Sequence, residues 1–321
     1  MAGNPNYDTA LLTMTLEKFL ERKAADTIFN AIPLFEWLNA KGQVKRKADG
    51  GTKLIEPLMY GKNSTVGSYT GYDKLDVAPQ EGFTNAEYEW KQYSGAITIS
   101  GREEEINAGE MQMLDLLENK WSQLEMSFQD LLNQHAFLDG SGNEGKDIVG
   151  LDLMVDSAGT YGNIPRSSNS WWSAHETAVG GPLQVDGQFG MRRMYNDTSR
   201  GKGQKLPDFG LTTQEIFEAY EQLMAPYLRY AVGGEANAVF KNNSLKFRGM
   251  TLMWDHECQD GVLYYLNSKH IKFVIKEGRD FTNESFVKPH DQDAKTAKVL
   301  WMGALIANNC RHLGKMTGIE V

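Results

Sequence analysis

The sequence predicts an α+β fold. Apolar residues step at helical spacing from Glu110 to Leu138, and strand-like runs bounded by Gly, Asp and Asn lie on both sides of that helix. No βαβ alternation and no internal repeat accompanies them, which argues against a doubly wound sheet or a solenoid. The 321 residues suit one large domain or two interlocked ones. An apolar fraction of 41% excludes disorder, and 32 glycines against 9 prolines point to many turns rather than stiff linkers. Thirty-three basic against 42 acidic residues give a charge of −9, which disfavours nucleic-acid binding as the main task.

Taken in order, Leu12, Leu16, Phe19 and Leu20 recur at helical spacing and predict a short helix, followed by an extended arm around Pro33. Lys41, Lys45, Arg46 and Lys47 form a basic run that reads as a solvated turn, or else as a contact for an acidic partner or nucleic acid. Lys53–Tyr60 and Ala86–Tyr93 read as strands. Between them lies a polar tip with Gly61, Gly67, Gly71 and Gly82, interspersed with Tyr69, Tyr72 and Phe83. Such a ribbon is marginal in isolation and must lie on its own chain or on a neighbour.

The helix from Glu110 to Leu138, about 43 Å long at about 1.5 Å per residue, carries Leu114, Leu117, Trp121, Leu124, Phe128 and Leu131 on one face, continued by His135 and Leu138. His135 therefore reads as a packing residue rather than a ligand. Asp139 and Gly140 stop the helix. From Gly150 to about Lys205 periodic segments are few. The landmarks there are Gly162–Ser167, Trp171–Trp172 and a Gly-rich loop with Arg192, Arg193, Arg200, Lys202 and Lys205 against the single acid Asp197. A helix from Thr213 to about Tyr230 follows, with Ile216, Tyr220, Leu223 and Met224 on one face. Strands are expected over Phe247–Trp254, Val262–Asn267, Ile271–Ile275 and Lys298–Asn308.

Motifs for chemistry do not survive their context. Gly140-Ser141-Gly142-Asn143-Glu144-Gly145-Lys146 matches glycine-rich phosphate-binding patterns. It follows a helix and precedes the strand-like Ile148–Leu151, however, where a phosphate loop must follow a strand and open a helix. Asp255-His256-Glu257-Cys258 is the densest ligand-like cluster, but neighbours in a strand point to opposite faces, so it reads as a solvated turn. Cys258 and Cys310 lack the spacing of a zinc site and read as two separate buried thiols in a reducing compartment. Glu103, Glu104 and Glu105 read as the acidic start of a helical stretch. No enzyme activity, catalytic residue, metal site or cofactor is expected. The N-terminus has no signal-peptide pattern, and no run reaches the roughly 20 apolar residues of a membrane helix, so no membrane partner is expected.

The order of segments is an arm, a long two-stranded loop, one very long helix ending in Asp-Gly, a glycine-rich middle and a closing strand bundle. With it come Gly162-Asn163-Ile164-Pro165-Arg166-Ser167, Trp171-Trp172, Tyr227-Leu228-Arg229-Tyr230, His290–Lys298, Met302–Leu305 and Asn308–Gly314. This whole pattern resembles the major capsid proteins of tailed bacteriophages, which share the Hong Kong 97 fold. The resemblance implies an N-terminal arm over 1–49, an E-loop over 50–101, a peripheral domain with its spine helix over 102–149, an axial domain over 150–280 and a return to the peripheral domain over 281–321. It implies a virion shell subunit that assembles in the host cytoplasm into hexamers and pentamers of an icosahedral or prolate head around double-stranded DNA. A cellular nanocompartment of the encapsulin type is the alternative.

The partners so implied are other copies of the chain, a portal protein, a decoration protein and DNA contacted non-specifically. A separate scaffolding protein is also implied, because no long charged helical segment precedes the arm. Contacts between subunits are expected from Lys62, Tyr69, Tyr72, Phe83 and Trp90 in the loop. Arg192, Arg193 and Arg200 are expected to screen repulsion around a capsomer axis. Leu117, Trp121, Leu124 and Phe128 would form the core of the spine helix. Some members of the family join subunits through Lys–Asn bonds; Lys62 and Asn308 or Asn309 have the right types, without a matching acidic helper.

Overall fold

The computed structural model describes residues 32–47, 51–106, 110–199, 206–228 and 245–321. The expected helix around Leu12–Leu20 lies outside these residues, as do Arg200, Lys202, Lys205 and Tyr230.

The segment expected to be an extended arm is helical instead. Pro33 occupies the first helical position, where its missing N–H costs nothing and its fixed φ favours the turn, and α1 runs over Pro33–Ala40. Leu34, Phe35, Trp37 and Leu38 are buried, with Phe35 against Phe273 at 4.5 Å between ring centroids and Trp37 stacked on Phe209 at 4.6 Å. The basic run that follows is a strand, β1 (Val44–Lys47), and not a turn, because it pairs in parallel with β12 (Ile271–Lys276).

Two sheets organise the chain, beside a short antiparallel pair of β5 (Thr160–Tyr161) with β6 (Ile164–Pro165). The first is built on β14 (Ala294–Ala307), which pairs along one side with β4 (Lys91–Ser100), from Ala294 opposite Ser100 to Gly303 opposite Lys91. Its other side takes β13 (Thr282–Val287) and then β12. The second sheet runs β7 (His175–Pro182), β15 (Gly314–Glu320), β11 (Leu263–Leu266), β8 (Phe209–Thr212), β10 (Met250–Trp254) and β9 (Leu245–Phe247). It is covered by α4 (Met191–Thr198) and α5 (Gln214–Leu228), whose Met191, Met194, Ile216 and Tyr220 share one apolar cluster with Leu252, Tyr265 and Met316. Strands β7, β13 and β15 carry weak or interrupted apolar patterns, which is why the sequence does not announce them.

The long helix α3 spans Glu110–Phe137, one residue short of the expected end. Leu117, Trp121 and Phe128 are buried and Leu124 is half-buried. The row then passes through Leu132, which is fully buried, and not through Leu131, which is 38% exposed. At about 100° per residue, Leu132 lies about 20° from Trp121 around the axis and Leu131 about 80° away. The stripe is centred on Trp121 and Phe128, with Leu124 at its margin. Gly140 ends the helix at φ +81, the left-handed conformation that glycine adopts freely. Ile148–Leu151 is not a strand: Gly150 N–H donates to the carbonyl of Leu138, and Leu151–Met154 then forms one helical turn.

Ahead of α3, the short helix α2 (Gly101–Ile106) opens with a reciprocal cap. Ser100 N–H donates to the Glu103 carboxylate at 3.0 Å, and Glu103 N–H donates to Ser100 Oγ at 3.3 Å. Lys120 reaches from α3 to the same carboxylate at 2.9 Å. The Lys120 ammonium, and after it the Ser100 N–H, hold the Glu103 carboxyl below the usual glutamate range.

Candidate assembly surface

The ribbon is built by β2 (Lys53–Met59) and β3 (Phe83–Glu89), paired antiparallel from Lys53 opposite Glu89 to Met59 opposite Phe83. Period-two alternation gives it two unlike faces. On one face Leu54, Leu58, Ala86 and Tyr88 are buried against the chain itself. Tyr88 Oη donates to the carbonyl of Ala307 at 2.5 Å, its hydroxyl pushed to a higher pKa chiefly by burial, and Glu56 bonds to Lys272 of β12. Beyond the ribbon, Tyr60 stacks on Trp171 at 5.2 Å. The base of the ribbon therefore has its own footing.

The opposite face has none. Ile55, Met59 and Phe83 are 56%, 75% and 77% exposed, with Met59 and Phe83 directly opposite each other across the strands. At the neck, a Cβ on Gly61 would come within 2.9 Å of the Gly82 Cα, so two glycines let the strands cross into the tip. Within the tip the order is polar: Gln80 Oε1 accepts from Ser64 N–H and Oγ, and Asp73 accepts from Thr70 N–H. Its apolar residues, Val66, Tyr69, Tyr72, Leu75 and Val77, are all exposed, and Lys62 is exposed beside them. Burying apolar side chains is worth about 25 cal/mol per Å², so an exposed apolar set of this kind makes the ribbon and its tip the candidate contact surface.

The other expected contact residues are placed differently. Trp90 separates β3 from β4, which makes one expected strand into two, and is half-buried, with Lys276 Nζ 5.9 Å from its ring. Arg192 pairs with Asp186 at 2.7 Å and Arg193 with Asp197 at 2.9 Å, all four side chains exposed. The sequence count of acids against this loop missed Asp186, which lies before α4 and returns to it. Arg200 lies outside the described residues.

Arg166 also escaped functional reading. It is buried, and its guanidinium donates to the carbonyls of Leu153, Met154 and Ala158 at 2.8–2.9 Å, 5.4 Å from the Tyr161 ring. Trp172 beside it is fully buried and donates to the carbonyl of Tyr161, while Trp171 is the ring on which Tyr60 rests. No signal in the sequence separates these two roles in a Trp-Trp pair.

His135 sits at the end of α3 with Nδ1 2.7 Å from Tyr93 Oη. That hydroxyl accepts from Ile148 N–H at 2.9 Å, and burial pushes its pKa up to about 12. Cys258 and Cys310 are free and buried, and burial pushes both thiols up, Cys310 to about 12. A thiol held protonated is a poor nucleophile. Asp255 is buried and accepts from Asn133 Nδ2 and Glu257 N–H, so it braces a turn against α3. Among the described residues no three His, Cys, Asp or Glu side chains are grouped to hold a metal, and no helix is long and apolar enough to cross a membrane.

The arrangement of a long helix, two sheets and a projecting ribbon is the fold of phage capsid subunits. The capsid asymmetric unit of cyanophage A-1(L) matches with a TM-score of 0.64 at 13% identity, over 86% of this chain and 90% of that one. The capsid of Myoviridae phage XM1 matches at 0.55 and 9% identity, over 87% and 91%. The holo-SrpI encapsulin complex from Synechococcus elongatus PCC 7942 matches at 0.50 and 11% identity, over 88% of each chain. No protein-family model matches the sequence, and no curated protein does.

Proposed function

We propose that this chain is a major capsid protein, a shell-building subunit of the Hong Kong 97 type. The observation that carries the reading is the ribbon: its inner face rests on its own subunit while its outer face and tip expose Ile55, Met59, Phe83, Tyr69 and Tyr72. In a monomer that surface is a liability; in a shell it is a contact. Under this reading residues 50–101 are the E-loop, 102–149 with 281–321 the peripheral domain, and 150–280 the axial domain. Lys62, Tyr69, Tyr72 and Phe83 meet a neighbouring subunit, and Arg192, Arg193 and Arg200 lie toward a capsomer axis. Their pairing with Asp186 and Asp197 leaves little free charge on the first two, so they brace the loop rather than screen repulsion. The virion is the location, with scaffolding and portal proteins as assembly partners, packaged DNA inside and a decoration protein outside.

A nanocompartment shell is the second reading, favoured by the encapsulin match over most of both chains. The phage capsids match at higher TM-scores, 0.64 and 0.55 against 0.50. The full chain, produced with the products of its neighbouring genes, is expected to sediment as closed particles. A protein that stays monomeric across a wide concentration range, with and without those partners, contradicts both readings. Particles that enclose an enzyme instead of DNA favour the second.

A further inference from the structure

A cavity of about 250 Å³ opens between α4, the turn that joins β9 to β10, and the chain passing from β11 to β12. Its lining includes Tyr195, two exposed cations, Arg248 and Lys269, and the buried polar residues Asn267 and Ser268. The charges are unbalanced. Asp208, the one carboxylate in the lining, is already satisfied: it accepts from Ser268 N–H at 2.9 Å and from Ser268 Oγ at 2.7 Å, and it pairs with Lys41 at 3.5 Å. Neither Arg248 nor Lys269 pairs with a carboxylate among the described residues. Two uncompensated cations on one cavity run against the composition of a chain with a net charge of −9.

Arg248 also holds a backbone conformation that arginine seldom takes. Both central residues of the turn between Phe247 and Met250 have positive φ, +49 at Arg248 and +92 at Gly249, a pattern that usually selects asparagine followed by glycine. Such strain persists where the surroundings hold it, and it gathers at ligand clamps. Here it sets the side chain: the guanidinium carbon lies 5.4 Å from the centre of the Tyr195 ring, and Nη1 donates to Asn196 Oδ1 at 2.9 Å. Tyr195 Oη donates in return to the carbonyl of Arg248 at 2.9 Å, which locks the turn to α4. A guanidinium carries five N–H donors, so most of the fork remains for a ligand. Asn267, only 2% exposed, donates one Nδ2 hydrogen to the carbonyl of Leu206 at 2.9 Å and keeps a second.

We propose that this cavity binds a phosphoryl group, whose oxygens meet the Arg248 fork, the Lys269 ammonium and the second Nδ2 hydrogen of Asn267. The planar fork matches two oxygens of such a group at once, and lysine adds a point charge. A phosphorylated small molecule and the backbone of DNA both carry this group. The inference makes no use of the shell reading and holds equally for a subunit that never assembles.

Titration of the full chain with inorganic phosphate at constant ionic strength, followed by phosphorus NMR, tests it. The wild type is expected to saturate, and Lys269→Gln to weaken binding at least tenfold. Arg248→Asn is the sharper variant. Asparagine suits the left-handed turn, so this chain is expected to unfold at a higher temperature than the wild type while binding phosphate at least tenfold more weakly. Binding that never saturates, that chloride displaces as readily as sulfate does, or that survives unchanged in both variants overturns the proposal. If Arg248→Asn fails to fold, Lys269→Gln at its exposed position decides alone. A short DNA duplex that competes with phosphate for the wild type names the DNA backbone as the source of the group, and a duplex that does not compete names a phosphorylated small molecule.

Discussion

At the scale of single residues, the strongest dependence falls on Arg166. Its guanidinium satisfies three carbonyls at the end of the helical turn Leu151–Met154 and the loop after it, from a site that water does not reach. A lysine at this position carries the same charge but lacks the planar fork, so it leaves at least one buried carbonyl unpaired. Arg166→Lys is expected to cost about 3 kcal/mol, read as a drop of several degrees in thermal unfolding of the unassembled subunit. An unchanged melting temperature would show that the fork is dispensable.

Glu103 makes a pH-dependent contribution. Its folded pKa lies below the ordinary value of 4.5, so the stability it supplies is fully present above that value and is lost as pH falls through the lower folded one. The group is exposed and solvent screens it, which holds the contribution to about 0.5 kcal/mol. Glu103→Gln should therefore destabilise slightly at pH 7 and leave stability unchanged near pH 2. Equal losses at both pH values would assign the effect to packing. Arg166 was visible in the sequence only as one letter of a recurrent phrase, because a buried arginine bonded to backbone carbonyls has no partner type that spacing could reveal.

At the scale of elements, α3 was legible because its apolar stripe repeats over many turns, while its phase was not, since both Leu131 and Leu132 continue a three-or-four step from Phe128. Only packing against β4 decides between them. Leu132→Ala is expected to cost about 2–5 kcal/mol and Leu131→Ala less than about 1, measured by denaturant unfolding. Comparable losses at the two positions would mean that the stripe is broader than the burial pattern shows. The helix at Pro33 was missed for the opposite reason: proline reads as a breaker unless its place at the first helical position is known. Strands β13 and β15 hide because Thr282–Val287 is mostly polar and Gly314–Glu320 holds two glycines; β13 is held by the long β14, and β15 by pairing on both sides with β7 and β11, rather than by their own patterns. The ribbon was readable as a ribbon, with its glycine-marked tip. That its two faces divide between own chain and solvent required the register.

At the scale of the whole molecule, the order of segments carried the class of fold, which capsid subunits match over 86–87% of this chain at 9–13% identity. Individual residues at the contact surfaces follow no such rule, because exposed positions answer to a neighbour that one sequence does not contain. Met59, Val66, Leu75 and Val77 thus went unmarked beside Tyr69, Tyr72 and Phe83, although all are exposed on the same ribbon and tip.

On the shell reading, the outer face of this ribbon is buried only between subunits. Electron cryomicroscopy of particles assembled from the full chain tests it most directly. The expected result is closed shells in which Ile55, Met59, Phe83 and the tip residues 61–82 of each copy lie against an adjacent copy. Shells whose ribbons stand clear of their neighbours, or a chain found only as a monomer, would contradict it.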